Sequence, residues 1–274
     1  PQENTMTIQE TIAIIERFAP LALQEKWDNS GLQVGGDTSL DVSGMVLSLD
    51  ITHRVLDRAI ESHSNLVVSH HPLLFDGVKN IVESDTVGSI IWRAIKNEIT
   101  LYALHTPADS ASGGINDFLA NTLGLNNIVP LEGSPLDATV GMGRVGDLRR
   151  AVSVEEFGDL LRDKFSLTTV PCSAHRRSDM VQRVALCGGS GGSLIATAIA
   201  SGADVFVCGD LKYHDFQRAD NAITLYDIGH YNSEICFVDI ITNVLQKEVL
   251  KNQKKIHTFA IHSVKDNFIS YYGH

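Results

Sequence analysis

Short, continuous apolar runs alternate along the chain with stretches in which apolar residues recur at helical spacing. GMVLSLDI (44–51) reads as a buried strand and is followed by the helical pattern THRVLDRAIES. NLVVSHH (65–71) is the next strand. VGSIIWRAIKNE (87–98) is a helix leading into the run ITLYALHT (99–106), and GGINDFLANTLGL (113–125) is a helix ending near Gly124. After Pro130 the alternation restarts. Ser153, with Glu156 three residues on, is a capping box that opens the helix SVEEFGDLLRDKFS. RVALCGGSGGSLIATAIASG (183–202) is strand, glycine turn and helix. ADVFVCGDLKYHDFQRADN and ITLYDIGHYNSEICFVDIITNVLQKEV repeat that plan, and HTFAIHS (257–263) is a last strand. Such strand–helix units predict an α/β protein whose mainly parallel sheets are flanked by helices. The break at NNIVPLEGSPLD (126–137) divides it into an N-terminal α/β half, 1–128, and a C-terminal α/β half, 129–274.

Three of the strand-like runs end in side chains that bind metals. VVSHH ends in His70 and His71; LYALHTPAD supplies His105 and Asp109; ITLYDIGHYNSE supplies His230 and Glu234. Pro72 has no N–H for a ladder, so the His pair is expected where the pleat is lost and both rings can face one point. His230 and Glu234 are four residues apart at a helix start, on one face. Ligands of parallel sheets bind beyond the carboxyl ends of the strands, which is where all three clusters fall. Histidines and carboxylates suit Zn, Mn, Fe or Co better than a sulfur site does. Five ligands from among these six are generous for one catalytic ion and suit two divalent ions about 3.5–4 Å apart with a bridging water, the metal site lying between the halves.

Composition narrows the class. A net charge of −11 argues against a general nucleic-acid surface and leaves room for a small anionic substrate. No apolar run is long enough to span a membrane, and PQENTMTIQE does not look like a secretory signal. The four cysteines are scattered without a Cys-x-x-Cys, the usage of a cytoplasmic protein with reduced thiols.

Three further motifs carry weaker chemistry. GGSGGS (188–193) opens a helix after a strand; it is either a phosphate cradle or a tight turn, and it lacks the Lys-Ser/Thr ending of a P-loop. In GDLKYHD, Asp210, Lys212 and His214 could line a pocket, with Lys212 as cation for an anionic group. In WDNSGLQVG, Trp27 is a packing residue and Asn29 a candidate substrate contact.

WDNSGLQVG (27–35), SHHPLLF (69–75), HTPAD (105–109), GGSGGSLI (188–195), GADVFVCGDLKYHD (202–215) and GHYNSE (229–234) resemble the type 2 GTP cyclohydrolase I homologue family, also called the NIF-three-like family. The resemblance runs in order from about Met6 to the C-terminus. It implies two related, intertwined α/β halves, a ring-like homohexamer, and a dinuclear metal site at His70, His71, Asp109, His230 and Glu234. It also implies a metal-dependent hydrolase of a small nucleotide-like or phosphorylated substrate, with ring opening of GTP as one candidate reaction and His105 or Glu234 handling protons. The family core reads HTNLD where this chain has HTPAD, so Pro107 stiffens the approach to Asp109. The segment between Gly146 and Arg183 is too short for the domain inserted in longer members. A metal-stabilised oligomeric scaffold or regulatory protein without turnover is the alternative, since the family's name derives from a protein–protein interaction.

Overall fold

The apolar runs that read as strands hold elements that are buried from end to end. In a computed structural model that describes residues 6–251 and 259–270, β2 (Gly44–Ser48), β3 (Leu66–Ser69), β4 (Thr100–Ala103) and β8 (Val205–Gly209) have no exposed residue. This is the pattern of parallel strands covered on both faces. The remaining strands are β1 (Gly31–Val34), β5 (Asn126–Gly133), β6 (Gly141–Ser153), β7 (Met180–Ser190), β9 (Thr224–Asp227) and β10 (Ala260–Val264). His257 and Thr258 of the expected last strand lie outside the described residues, as does the N-terminal stretch 1–5.

The chain divides into two compact units, Pro1–Ala108 with Phe237–His274, and Asp109–Cys236. The first holds a five-stranded sheet of order β1-β4-β3-β2-β10, parallel except for the β1/β4 pair. Helix His53–Glu61 covers β2, β3 and β10, its start capped by Thr52, whose hydroxyl accepts from the Val55 N–H. Helix Thr86–Lys96, capped by Asp85, packs on β1 and β4. Val46, Val55, Leu56, Val67, Ile90 and Leu101 meet in the core between them. β10, from the far end of the chain, pairs with β2, so this sheet cannot close until the C-terminal segment returns.

The second unit's sheet has the order β5-β6-β7-β8-β9. Only β7, β8 and β9 run parallel; β5, β6 and β7 are joined antiparallel. The stretch that reads as a break at residue 126 begins as the edge strand β5, where Pro130 is tolerated because an edge leaves one side of the ladder unneeded. The Ser153–Glu156 capping box forms as expected and starts helix Val154–Phe165.

One buried cation organises this unit. Arg144, 2% exposed, pairs through Nε with Asp117 and donates from Nη1 to the carbonyls of Gly141 and Gly143, both at 2.7 Å. Its Nη2 donates to the Ser110 and Ala111 carbonyls at 3.3 Å. Replacing it strands a carboxylate and four carbonyls together. Arg144→Met should therefore cost about 3–5 kcal/mol of stability, read from urea denaturation. A loss under about 1 kcal/mol would remove the organising role given to it here.

Candidate metal centre

In both units, the chemistry sits at the carboxyl ends of parallel strands. His70 and His71 follow β3 directly. β3 ends at Ser69, and the successive N–H groups of His70 and His71 both donate to the β2 side, to the carbonyls of Ser48 (3.1 Å) and Leu49 (2.8 Å), so the pleat is lost at the pair as expected. The rings come together, with centroids 4.9 Å apart and tilted by 48°. His70 is fully buried against Phe237. His105, beyond β4, stands edge-on to both rings at 5.1 and 5.5 Å. One ring nitrogen from each of the three lies within 4.8 Å of the others.

Each ring is held from behind by the neighbouring strand. His70 Nδ1–H donates to the Leu104 carbonyl just beyond β4, at 3.1 Å. His71 Nδ1–H donates to Asp50 beyond β2, at 2.9 Å. His105 Nδ1–H donates to Asp28, on the turn that leads into β1, at 2.8 Å. A carbonyl or ionised carboxylate can only accept, so the proton belongs on Nδ1 and the lone pair on Nε2. A histidine that binds a metal through Nε2 requires this tautomer.

Asp28, like Asp50, is a residue that sequence reasoning missed here. Its carboxylate accepts from the Thr106 hydroxyl (2.6 Å) and N–H (3.1 Å) and from the Ser30 hydroxyl (2.8 Å), besides His105. Burial pushes its carboxyl up, but the bonds from His105 and Thr106, the His105 charge and the Ser30 bond together hold it well below the usual range. Asn29, the candidate substrate contact, donates its side-chain amide to the Leu74 carbonyl at 2.6 Å.

The second unit repeats the arrangement. His230 opens a short helix after β9, and its Nδ1–H donates to Asp210 beyond β8, at 2.7 Å. Asp210 has a positive φ of 57°, a conformation that aspartate tolerates better than most residues. His230 Nε2 lies 2.9 Å from a Glu234 carboxylate oxygen, and an oxygen of Asp109 lies within 4.8 Å of one on Glu234. Asn116, also missed, joins the parts: its amide donates to the Asp109 carbonyl (3.0 Å) and accepts from the Gly188 N–H (2.8 Å). The only hint of it in the sequence is a polar residue on the buried face of helix Ile115–Thr122.

The glycine turn has a defined use. A Cβ at Gly189, where φ is 65°, would meet a Glu234 oxygen at 2.1 Å and His230 Nε2 at 3.4 Å. Its N–H donates to Ser233 Oγ at 2.9 Å, and the Gly191 N–H points to the Gly209 carbonyl at 3.4 Å. These N–H groups serve the fold and support the tight-turn reading over the phosphate cradle. Lys212 and His214 are exposed at the start of helix Tyr213–Arg218. His214 pairs with Gln217 of its own helix.

The two units thus present histidine and carboxylate groups that could hold a metal ion. Sulfur has no part in them. Cys187 and Cys208 are buried, which pushes both thiols up and away from the thiolate. With its folded pKa depressed, Asp28 contributes stability that is present above its unfolded pKa of about 3.9 and lost as pH falls through the lower folded value. Asp28→Asn should therefore be less stable than the parent at pH 7, with the gap narrowing below about pH 4 in urea titrations. A gap that does not change with pH would show that its charge is not what matters.

Comparison with known proteins fixes the family. Residues 6–267 match the family model Duf34/NIF3 (NGG1p interacting factor 3). A "GTP cyclohydrolase 1 type 2 homolog" of Clostridium perfringens is 35% identical over 232 residues, 84% of this chain and 87% of that one. A protein of the same name from Clostridium acetobutylicum is 31% identical over 247 residues, 88% and 90% of the two chains. In fold, the chain resembles a solved Bacillus cereus protein related to NIF3, with a TM-score of 0.89 at 23% identity over 98% of this chain and 100% of that one. The chain belongs to the Duf34/NIF3 family.

Proposed function

We propose that this protein is a hydrolase dependent on two divalent ions, with His70, His71, Asp109, His230 and Glu234 as ligands. One observation supports the reading above the others: every histidine of the set has its Nδ1 against an acceptor, which turns the Nε2 lone pair outward. The approach of His230 Nε2 to Glu234 at 2.9 Å adds to it. Two lone-pair atoms that close repel unless a proton or a cation is shared between them. The donor set suits Zn, Mn, Fe or Co. When bound, a metal pair supplies Lewis acidity that makes water a nucleophile near neutral pH and polarises the bond under attack.

The chain's own residues would do the rest. His105 is outside the ligand set, so its Nε2 can accept a proton and return it. Asp28 keeps that ring in the required tautomer and stabilises the imidazolium as it forms, the part a buried carboxylate plays behind a catalytic histidine. Lys212 and His214, exposed beyond β8, are the proposed anchor for an anionic group. The relatives' names make ring opening of GTP with release of formate one candidate, within the wider class of small nucleotide-like or phosphorylated substrates.

Purified protein reconstituted with metal should hold close to two ions per chain by elemental analysis. His70→Ala/His71→Ala and Glu234→Gln should lose them. Asp50→Ala and Asp210→Ala, which remove only the acceptors behind His71 and His230, should weaken metal affinity about 10–100-fold. A nucleotide screen with both formate and phosphate measured then tests turnover, and Lys212→Ala should raise KM with little change in kcat. Stoichiometry near zero would end the proposal. Full loading with no turnover across the screen would favour the scaffold reading.

The same proposal includes assembly as a homohexamer, as the family resemblance implies. Light scattering coupled to size exclusion should give a mass near six chains. A stable monomer at micromolar concentration would count against it.

A further inference from the structure

One cavity of the second unit shares no residue with the candidate metal centre. It has a volume of about 410 Å³ and opens to solvent between the end of helix Ile115–Thr122, the last part of β6 and helix Val154–Phe165. Its floor is apolar. Leu123 and Leu148 are buried there, and Val152 and Leu160 are half-buried. Gly124 adds to the wall with a φ of 68°, and a Cβ on it would meet nothing within 4 Å. Two arginines, Arg149 and Arg150, form the rim together with Glu156.

A break in the sheet puts the arginines at this mouth. β5 pairs with β6 no further than Asp147, opposite Asn126. On the other side Asp147 faces Arg183 and Val152 faces Val181, so residues 148–151 of β6 stand opposite Gln182 alone. A bulge of this kind leaves the extra residues outside the ladder and re-aims their side chains. Here it turns Leu148 into the floor and leaves Arg149 and Arg150 exposed. Arg150 approaches Glu156 only to 3.9 Å, and the same Glu156 oxygen already accepts from the Ser153 N–H at 3.0 Å. The Arg149 side chain has no hydrogen bond or ion pair among the described residues. Two guanidinium groups against one carboxylate give the rim a net charge of +1, on a chain whose total is −11.

We propose that this cavity binds a small amphipathic monoanion, a carboxylate with an apolar body, at a site independent of the metal centre. The body lies on Leu123, Leu148, Val152 and Leu160, and the carboxylate meets Arg149, whose planar fork matches two carboxylate oxygens. A rim of +1 balances one negative charge, which favours a carboxylate over a phosphate monoester of nearly twice that charge. The volume falls within the range of small-molecule sites, about 300–1,000 Å³. Eight residues line the cavity, far short of the roughly 20–30 a side of a standard protein interface, so a protein partner is the weaker occupant.

The test is calorimetric titration of the full-length protein with hexanoate, octanoate and decanoate, run at two temperatures because apolar burial shows itself as a heat-capacity change. Binding should be saturable and should tighten at least about fourfold from hexanoate to octanoate, the gain from burying one added methylene. Acetate lacks the body and 1-octanol the charge, so each should bind at least about tenfold more weakly than octanoate. Octyl phosphate should also bind more weakly. Arg149→Gln/Arg150→Gln changes only exposed side chains and should keep the parent's circular dichroism while losing at least about tenfold in octanoate affinity. Metal-loaded and metal-free protein should bind octanoate alike. No saturable binding, 1-octanol or acetate matching octanoate, or an unchanged affinity in the double variant would each overturn the proposal. Octyl phosphate binding more tightly than octanoate, or binding confined to metal-loaded protein, would overturn it as well.

Discussion

A neutral imidazole offers its lone pair at one nitrogen only, and the oxygen behind the ring decides which. Every histidine of the two units' clusters draws that oxygen from an adjacent strand. His71 beyond β3 is held by Asp50 beyond β2, and His70 by the Leu104 carbonyl beyond β4. His105 beyond β4 is held by Asp28, which precedes β1, and His230 beyond β9 by Asp210 beyond β8. Ligand geometry is therefore a property of strand order and register. A one-residue slip in any of these pairs would turn alternate side chains to the opposite face and separate ring from acceptor.

The second constraint is space around Glu234. The carboxylate is nearly buried and comes close enough to Gly189 that any side chain there would collide with it. Gly188, Gly189 and Asn116 bind that turn to Ser233 on one side and to the segment of Asp109 on the other. Two carboxylates held within 4.8 Å repel each other unless a proton or cation sits with them. That electrostatic cost, imposed by the packing of small residues, is itself an argument for a cation at this position.

Much of this was legible in the chain. Buried parallel strands announce themselves as continuous apolar runs, and β2, β3, β4, β8 and β9 all lie within the runs read as strands. The ligand-type residues after them are equally visible, because histidine pairs and an i, i+4 His–Glu are rare enough to notice. What escaped is what depends on distant pairing. β1, β5 and β6 are broken by glycine and proline, carry polar residues and run antiparallel to a neighbour, so no local period marks them. Asp28 and Asp50 look like ordinary turn residues. Their meaning comes from histidines 77 and 21 positions away, which sequence spacing cannot supply.

Asp28 shows how far one such residue reaches. Its carboxylate ties the turn before β1 to Thr106, at the start of the helix that carries Asp109, and fixes His105 between them. Trp27 and Asn29 flank it, so the same anchor sets the position of the exposed aromatic pair. A buried carboxylate that satisfies five donors, the Asn29 N–H among them, is costly to move, because each donor would lose a charge-assisted bond with no water to replace it. Rigidity at this point follows from that cost. Any group that reaches His105 meets a ring whose tautomer and direction are already set by the fold.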